Sequence, residues 1–189
     1  MALEQEIKLP FPDVEAARRA VVAAGGRLAV SRRLLEDVFY DTADGRLRGQ
    51  SQALRLRRDG ERTILTWKGP RQPGAVKIRE EIETDCADAD ALTALLGVLG
   101  YVSFFRTQKY REEYHTDGAV LTVDETPFGV FVEVEAPPAT IDAIARRLDR
   151  GPADYELGSY ITLWRRWCES RGRPFSDMLF TPPAGRESK

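Results

Sequence analysis

Cysteine and histidine are almost absent from this chain of 189 residues. Two cysteines, Cys86 and Cys168, are too few for a disulfide framework. With His115 as the single histidine, a structural zinc site is disfavoured, and so is a nucleophilic mechanism through Cys or His. The carboxylates, lysines and arginines are therefore the main candidates for any chemistry.

Long apolar runs are absent as well. No segment has the length of a membrane span, and the first residues lack the apolar centre of a signal peptide. The net charge of −2 argues against a general nucleic-acid surface. These features predict a cytoplasmic monomer or homodimer whose partner is a small molecule, with neither nucleic acid nor a membrane as a binding partner.

The chain does contain enough apolar residues, 42%, for the core of one domain. We expect that domain over residues 1–172, followed by a partly disordered tail over residues 173–189 that ends in TPPAGRESK. Charged residues make up 31%, which is above the usual share, so the placement of the charges becomes the main question.

The spacing of apolar residues predicts four helices, at about 13–24, 88–99, 140–148 and 157–171. Elsewhere apolar and polar residues alternate, which is typical of strands. The strand segments are LEQEIK, DVFYD, ALRLR, TILTWK, VKIREEIET, QKYREEY, AVLTVDE and VFVEVEA. Asp-Gly pairs at 44–45, 59–60 and 117–118 indicate hairpin turns beside these strands.

A weak internal repeat runs through the chain. Glu6, a helix and Gly25 recur at the same spacing as Glu81, a helix and Gly100. The repeat predicts two similar α+β halves that pair into one closed antiparallel sheet.

The polar faces of the strands group charges of one sign. Glu4 and Glu6 share a face near the start of the chain, and Arg55 and Arg57 share one later. For a single strand, a solvated face is an equally good interpretation. For the whole set it is a poorer one, because neighbouring like charges repel and a solvated face normally mixes signs. Grouped acids and grouped bases indicate that each group binds a partner of the opposite charge.

Carboxylate pairs suit a hard divalent cation, whereas Arg and Lys suit phosphate oxygens. Enclosure would strengthen both: a pair of unit charges at about 4 Å gains about 1 kcal/mol in water and roughly 4 kcal/mol at an effective dielectric near 20. If the charged faces line a closed barrel, the sequence predicts a site for a metal-bound polyphosphate. Glu4 and Glu6 would then bind the metal, and Lys8 would meet the phosphate.

In this order, the motifs resemble those of the CYTH superfamily, the triphosphate tunnel metalloenzymes. EQEIK at Glu4–Lys8 is similar to the family's ExExK signature, and the resemblance extends over about residues 3–165. The further matches are DVFYD, LRLR, TWKGP, REEIE, KYR, DET and EVE, with Tyr160 in GSY. The resemblance implies an α+β fold, a closed eight-stranded antiparallel β-barrel with helices packed outside. It also implies hydrolysis or cyclisation of triphosphate compounds with Mg²⁺ or Mn²⁺.

The resemblance implies a role for each matching residue. The metal-binding set is Glu4, Glu6, Asp124, Glu133 and Glu135. The phosphate-binding set is Lys8, Arg55, Arg57, Lys68, Arg79, Lys109 and Arg111. The catalytic candidates are Lys68, Glu81 and Glu83, of which the two acids would hold or activate the attacking water or take a second metal. Arg79 is interpreted equally well as an ion-pair partner of those acids.

Three functions stay open on the sequence. A metal-dependent triphosphatase is favoured, a class IV-type adenylyl cyclase that converts ATP to cyclic AMP and pyrophosphate is the alternative, and a polyphosphate-binding module without turnover is disfavoured by the acid pairs. Thiamine triphosphate is a less favoured substrate, because Phe39 stands where thiamine triphosphatase-like members carry a tyrosine. The segment RPFSDMLF could act as a lid, and the sequence does not decide this.

Overall fold

The computed structural model describes residues 2–181 of the chain. Within this range eight strands and five α-helices follow one another. The strands are β1 (Ala2–Phe11), β2 (Arg27–Thr42), β3 (Ala53–Asp59), β4 (Arg62–Lys68), β5 (Lys77–Cys86), β6 (Tyr101–Thr116), β7 (Ala119–Thr126) and β8 (Gly129–Glu135). The helices are α1 (Val14–Ala23), α2 (Arg46–Gly49), α3 (Ala89–Val98), α4 (Pro138–Arg147) and α5 (Tyr160–Ser170).

The eight strands close into one barrel in the order β1-β5-β4-β3-β2-β6-β7-β8. Every neighbouring pair is antiparallel, including β1 with β8, which completes the circle. The closed eight-stranded α+β barrel predicted from the sequence is confirmed. Across residues 2–181, no helix has both the length and the apolar character needed to cross a membrane.

The barrel consists of two equivalent halves. Exchanging β1 with β5, β2 with β6, β3 with β7 and β4 with β8 leaves the order of strands around the barrel unchanged. Each half begins with a strand, a helix and a long strand: β1-α1-β2 in the first and β5-α3-β6 in the second. This topology agrees with the internal repeat in the sequence.

The main hydrophobic core lies outside the barrel wall. Helices α1 and α4 pack over β1 and β8, and α1 also covers β7, so that Val21 and Ile144 are buried against the apolar outer faces of these strands. The side chain of Asp13 begins α1 by accepting a hydrogen bond from the amide of Ala16. A Cβ at Gly26 would lie 2.7 Å from a methyl of Val21, so glycine allows the chain to turn closely from α1 into β2. With the apolar faces covered by helices, the polar faces are left to line the interior.

Two details of the predicted elements are wrong. β2 and β6 are each 16 residues long and extend well beyond DVFYD and QKYREEY, because β-bulges interrupt the alternation that marks a strand in sequence. The Asp44-Gly45 pair leads into the short helix α2 instead of a tight hairpin. Asp41 holds that helix by accepting hydrogen bonds from the amides of Leu47 and Arg48. The turns at Gly60 and Gly118 have the positive φ expected at those positions.

The C-terminal segment is packed on the barrel as far as Thr181. The backbone of Met178 exchanges two hydrogen bonds with β6, to Arg106 O (3.0 Å) and from the amide of Gln108 (2.8 Å). Its side chain is 1% exposed, and the indole of Trp164 on α5 donates to Ser176 O at 2.7 Å. The tail predicted from residue 173 is therefore ordered over this part, while the rest of TPPAGRESK, residues 182–189, lies outside the described residues.

Replacing Met178 with alanine is expected to lower the free energy of unfolding by about 2–5 kcal/mol, the usual cost of truncating a buried methionine. Urea denaturation followed by tryptophan fluorescence measures this, because Trp164 packs in the same cluster. Leu99→Ala is the control: that side chain is 62% exposed, so a change of less than about 0.5 kcal/mol is expected. Equal stabilities of Met178→Ala and the unchanged protein would mean that the segment is not docked in solution.

Candidate active site in the barrel interior

The barrel encloses a cavity of about 1120 Å³ that is lined by charged side chains of both signs. Glu6, Arg57, Lys109 and Glu133 all line it, and each is at least nine-tenths buried. The alternating polar residues therefore point into one shared, enclosed space, as the alternation of polar and apolar residues along each strand predicts. Their chemical roles are a separate matter, which depends on how the charges are arranged.

One side of the cavity carries most of the acids. They project from three adjacent strands, β8, β1 and β5: Glu133 and Glu135, Glu4 and Glu6, and Glu81 and Glu83. Glu6 receives hydrogen bonds from the ammonium groups of Lys8 (2.7 Å) and Lys77. Burial by itself raises the pKa of Glu6, but the attraction of Lys8 and Lys77 outweighs it, so the pKa lies well below its usual range.

Glu4 is only partly satisfied. Its Oε1 accepts a hydrogen bond from Lys68 Nζ at 2.5 Å, whereas its buried Oε2 has no hydrogen-bond partner among the described residues. Such an unpaired carboxylate oxygen is costly in a protein interior unless a cation or a water completes its coordination. Because Glu4 lines the cavity, this oxygen is available to a ligand there.

Glu135 and Glu81 experience the negative charge of their neighbours. Partial burial and the carboxylates of Glu4 and Glu6 raise the pKa of Glu135 to about 7. The pKa of Glu81 is also raised, chiefly by burial, although Lys68 at 3.3 Å opposes the shift. The acidic side therefore carries more negative charge than its lysines neutralise, and it favours an added cation.

A hard divalent cation fits this donor set by its chemistry. Carboxylate oxygens are the ligands that Mg²⁺ and Mn²⁺ prefer, and the unpaired Oε2 of Glu4 together with the raised pKa of Glu135 indicates where positive charge is lacking. In residues 2–181 as they stand, no three acidic, histidine or cysteine side chains are gathered closely enough to hold a metal ion. The reason is visible in the contacts, since Lys8, Lys68 and Lys77 each draw a carboxylate to themselves.

The basic side of the cavity is formed by β3 and β6. Arg57 donates two parallel hydrogen bonds to Asp37, at 2.7 and 2.8 Å, which fixes the plane of its guanidinium group. Arg55 uses fewer of its hydrogen-bond donors than Arg57. It donates to Thr66 at 3.1 Å, while its buried Nε has no partner among the described residues. Burial and the nearby Arg57 lower the pKa of Arg55, so an anion that reached it would be strongly attracted.

Lys109 and Arg111 converge on Asp124, whose side chain is completely buried. Asp124 accepts hydrogen bonds from Lys109 (2.7 Å), from Arg111 (2.6 Å) and from the hydroxyl of Tyr160 (2.8 Å). It does not belong to the cavity lining, and both its oxygens are already occupied. Metal binding by Asp124 thus stays a prediction, while its observed contacts are those of a residue that positions two cations.

The remaining predicted residues lie on the cavity wall in different settings. Lys8 is fully enclosed between Glu6 and Glu133, whose charges raise its pKa despite the opposing effect of burial. Glu83 is half exposed near one opening and accepts a hydrogen bond from Thr66. Arg79 donates to Gly69 O (2.7 Å) and Ser51 O (2.6 Å), so it ties two loops together at the rim, and its pairing with Glu81 and Glu83 is not observed.

Sequence reasoning assigned no role to three residues that belong to the site. Asp37 pairs with Arg57, Lys77 pairs with Glu6, and Tyr160 reaches from α5 to Asp124. Asp37 and Lys77 could have been assigned to the site, because each lies on the inward face of its strand. Tyr160 was identified only as a match to the family, because its position on a helix outside the repeat does not indicate which strand it covers.

Comparisons with known proteins relate the chain to a domain family and to solved structures. A family model described as the CYTH domain matches residues 2–149. A protein of Methanocaldococcus jannaschii with the curated name "Putative adenylate cyclase" is 27% identical over 134 residues, which cover 70% of this chain and 76% of that protein.

Two solved structures are informative. A Pyrococcus horikoshii protein is 27% identical, with a TM-score of 0.71 and coverage of 86% of this chain and 98% of its own. A Hippeastrum protein, whose structure is titled as that of a putative adenylyl cyclase with a dominant triphosphatase activity, has a TM-score of 0.63 and covers 92% of this chain and 97% of its own. At 19% identity, the second likeness shows the fold alone.

Proposed function

This chain belongs to the CYTH domain family, and on that premise we propose that it hydrolyses triphosphate compounds with the help of Mg²⁺ or Mn²⁺. The observation that supports this most strongly is the division of one enclosed cavity into an acidic side and a basic side. A triphosphate chain needs cationic groups along its length, and a metal ion bound to it needs carboxylates opposite. A site that bound only a phosphate chain, or only a metal ion, would not need both an acidic and a basic side.

Binding would proceed by exchange of ion pairs. In the absence of a ligand, lysines and carboxylates neutralise one another across the cavity, as Lys68 does with Glu4 and Lys8 with Glu6 and Glu133. A polyphosphate offers these lysines new partners, and the carboxylates are then freed for a cation. Arg55, with its unpaired Nε, and the N–H groups of Arg57 that do not face Asp37 would donate hydrogen bonds to phosphate oxygens.

The acids that would hold the metal are Glu4, Glu6, Glu133 and Glu135. A bound cation would supply charge neutralisation for the phosphate oxygens of the substrate. Lys68 lies between Glu4 (2.5 Å) and Glu81 (3.3 Å), where it can hold a terminal phosphoryl group. Glu81, with its raised pKa, and Glu83 would orient or deprotonate the attacking water.

The chain has little covalent chemistry to perform in this reaction. Phosphoryl transfer to water is promoted chiefly by alignment and by stabilisation of charge, and the wall supplies both through buried cations on rigid strands. Hydrolysis by this route needs no Cys or His nucleophile. The single histidine, His115, lies on the exposed surface, where it pairs with Glu113.

The direct test is a product analysis. Purified protein is incubated with tripolyphosphate, ATP or thiamine triphosphate, each with Mg²⁺ or Mn²⁺, and the products are separated by anion-exchange chromatography. We expect orthophosphate and the corresponding diphosphate, or pyrophosphate from tripolyphosphate, and no turnover after the metal is chelated. Cyclic AMP formed without orthophosphate would overturn the hydrolase proposal.

Adenylyl cyclisation is the second candidate, because the curated relative from M. jannaschii carries that name. It would use the same cations to hold ATP but would need the ribose hydroxyl, in place of water, to attack the α-phosphate. Formation of cyclic AMP and pyrophosphate in equal amounts identifies it in the same experiment.

Anion binding is expected to weaken between pH 7 and pH 9. Burial and the adjacent charge of Arg111 lower the pKa of Lys109 to about 8, so the free protein loses this cation as the pH rises through that value. Titration calorimetry with tripolyphosphate at pH 7, 8 and 9 measures the effect. Lys109→Arg keeps its charge over this range, so the variant should show a flatter profile. The same pH dependence in both proteins would show that Lys109 does not contribute it.

A further inference from the structure

The cavity is not charged along its whole length. The cavity that holds the acids and the bases is lined at one end by the rings of Phe39, Phe104, Phe105 and Phe175. Phe39 is the cross-strand partner of Arg55, so the aromatic end directly adjoins the basic side. An incoming triphosphate compound would therefore extend from cations to rings without leaving the cavity.

A β-bulge places one of these rings. Phe39 pairs with Phe105 and Tyr40 pairs with Ser103, which leaves Phe104 as an extra residue without a partner on β2. In a regular strand Phe104 and Phe105 would point to opposite faces, but a bulge redirects side chains. Both rings line the cavity as a result, and Phe104 lies 6.5 Å from Phe39, measured between ring centroids.

The C-terminal segment adds the fourth ring. Phe175 stacks on Phe105 at 5.0 Å with only 8° between the ring planes, yet 40% of its surface stays exposed. Two guanidinium groups flank the rings: Arg48 lies 4.2 Å from the centroid of Phe104, and Arg165 lies 4.6 Å from that of Phe175. Asp41 fixes Arg48 through a hydrogen bond of 2.8 Å.

Building on the function proposed above, we propose that Phe39, Phe104 and Phe175 bind the planar organic group of the substrate, which makes the preferred substrate a nucleoside triphosphate and not inorganic tripolyphosphate. Aromatic faces and guanidinium planes are the surfaces on which bases stack, and such stacking tolerates different bases. Tripolyphosphate has no apolar surface and gains nothing from these rings. The cavity of about 1120 Å³ also slightly exceeds the usual volume of small-molecule sites, which leaves space beyond a phosphate chain.

The test compares binding of two probes, tripolyphosphate and the non-hydrolysable β,γ-imido analogue of ATP, by calorimetry in the absence of divalent metal, so that tripolyphosphate is not hydrolysed during the titration. We expect the unchanged protein to bind the analogue more tightly. Phe175→Ala and Phe104→Leu should each weaken binding of the analogue, relative to tripolyphosphate, by about tenfold, which lies within the range for loss of one base–aromatic stack. Phe104→Leu keeps an apolar side chain at the bulge, so a folding defect does not obscure the result.

Phe180→Ala is the matched control. Phe180 lies in the same C-terminal segment and packs on Tyr110, outside the cavity lining, so the preference for the analogue should not change. An unchanged preference in Phe175→Ala and Phe104→Leu, or tighter binding of tripolyphosphate by the unchanged protein, would overturn the inference.

The experiments distinguish the absence of an aromatic subsite from the absence of hydrolase activity. Metal-dependent hydrolysis of tripolyphosphate, with a preference that the aromatic substitutions do not alter, would leave the function standing and remove the aromatic subsite. Ring-dependent binding of the ATP analogue by a protein that hydrolyses no triphosphate would leave the subsite standing and remove the function.

Discussion

Asp124→Ala is expected to lower the free energy of unfolding by about 3–5 kcal/mol, the usual cost of leaving a buried charge without its partner. Asp124 is fully buried and accepts hydrogen bonds from Lys109, Arg111 and Tyr160. Its loss would leave two buried cations that face each other. Urea denaturation in the absence of metal and phosphate measures the effect. Asp85→Ala is the control: its pair with Arg62 is exposed, so the stability should not change measurably.

Tripolyphosphate should restore much of the stability of Asp124→Ala. A ligand that binds only the folded state stabilises it by about 2.7 kcal/mol when present at about 100 times its dissociation constant. Because the variant has lost the carboxylate shared by Lys109 and Arg111, its gain should equal or exceed that of the unchanged protein. If Asp124→Ala instead kept its stability but lost its response to metal, the role of metal ligand predicted from the sequence would be the correct one.

Glu4→Gln is expected to reduce the metal-dependent kcat/KM for triphosphate hydrolysis by about 100-fold. Loss of a proposed metal ligand should cost at least as much as loss of a residue that supports one, which costs up to about 100-fold. Glutamine keeps the shape of the side chain but removes the charge next to the unpaired Oε2. Initial rates measured over a range of Mn²⁺ concentrations should show half-saturation at a much higher concentration of the metal. Binding of tripolyphosphate without metal should be equal or tighter, because one repelling charge is gone.

Glu113→Gln serves as the matched control for Glu4→Gln. Glu113 also lies on a barrel strand, but it pairs with His115 at 2.8 Å and does not line the cavity. The expected kinetics of this control are those of the unchanged protein. Metal dependence that is the same in Glu4→Gln as in the unchanged protein would show that the acidic side does not bind the cation.

Strand parity explains why so much of the interior was predictable. In a closed sheet with helices on the outside, one face of each strand must point inward, so the alternation in LEQEIK and ALRLR was enough to place Glu4, Glu6, Arg55 and Arg57 in the cavity. The internal repeat indicated the paired halves for a similar reason. Both signals can be read directly from the sequence, without any knowledge of tertiary contacts.

The features that escaped prediction depend on contacts between distant segments. The bulge at Phe104 breaks the alternation itself, so parity assigns that ring to the wrong face. The path of the C-terminal segment is set by Met178 beside β6 and by Trp164 on α5, neither of which has a repeating pattern. The forked pair of Asp37 and Arg57 required the register between β2 and β3.

The pairing of the first strand with the last has a consequence for how the molecule forms. β1 hydrogen-bonds to β8, which lies more than a hundred positions further along the chain. The backbone N–H and C=O groups on the facing edges of these two strands have no partners until both strands are present. Contacts so far apart in sequence make folding slow, and open sheet edges persist until the circle is sealed. Glu4 and Glu6 reside on β1, and Glu133 and Glu135 reside on β8, so the acids proposed to hold the cation come together only when these two strands pair.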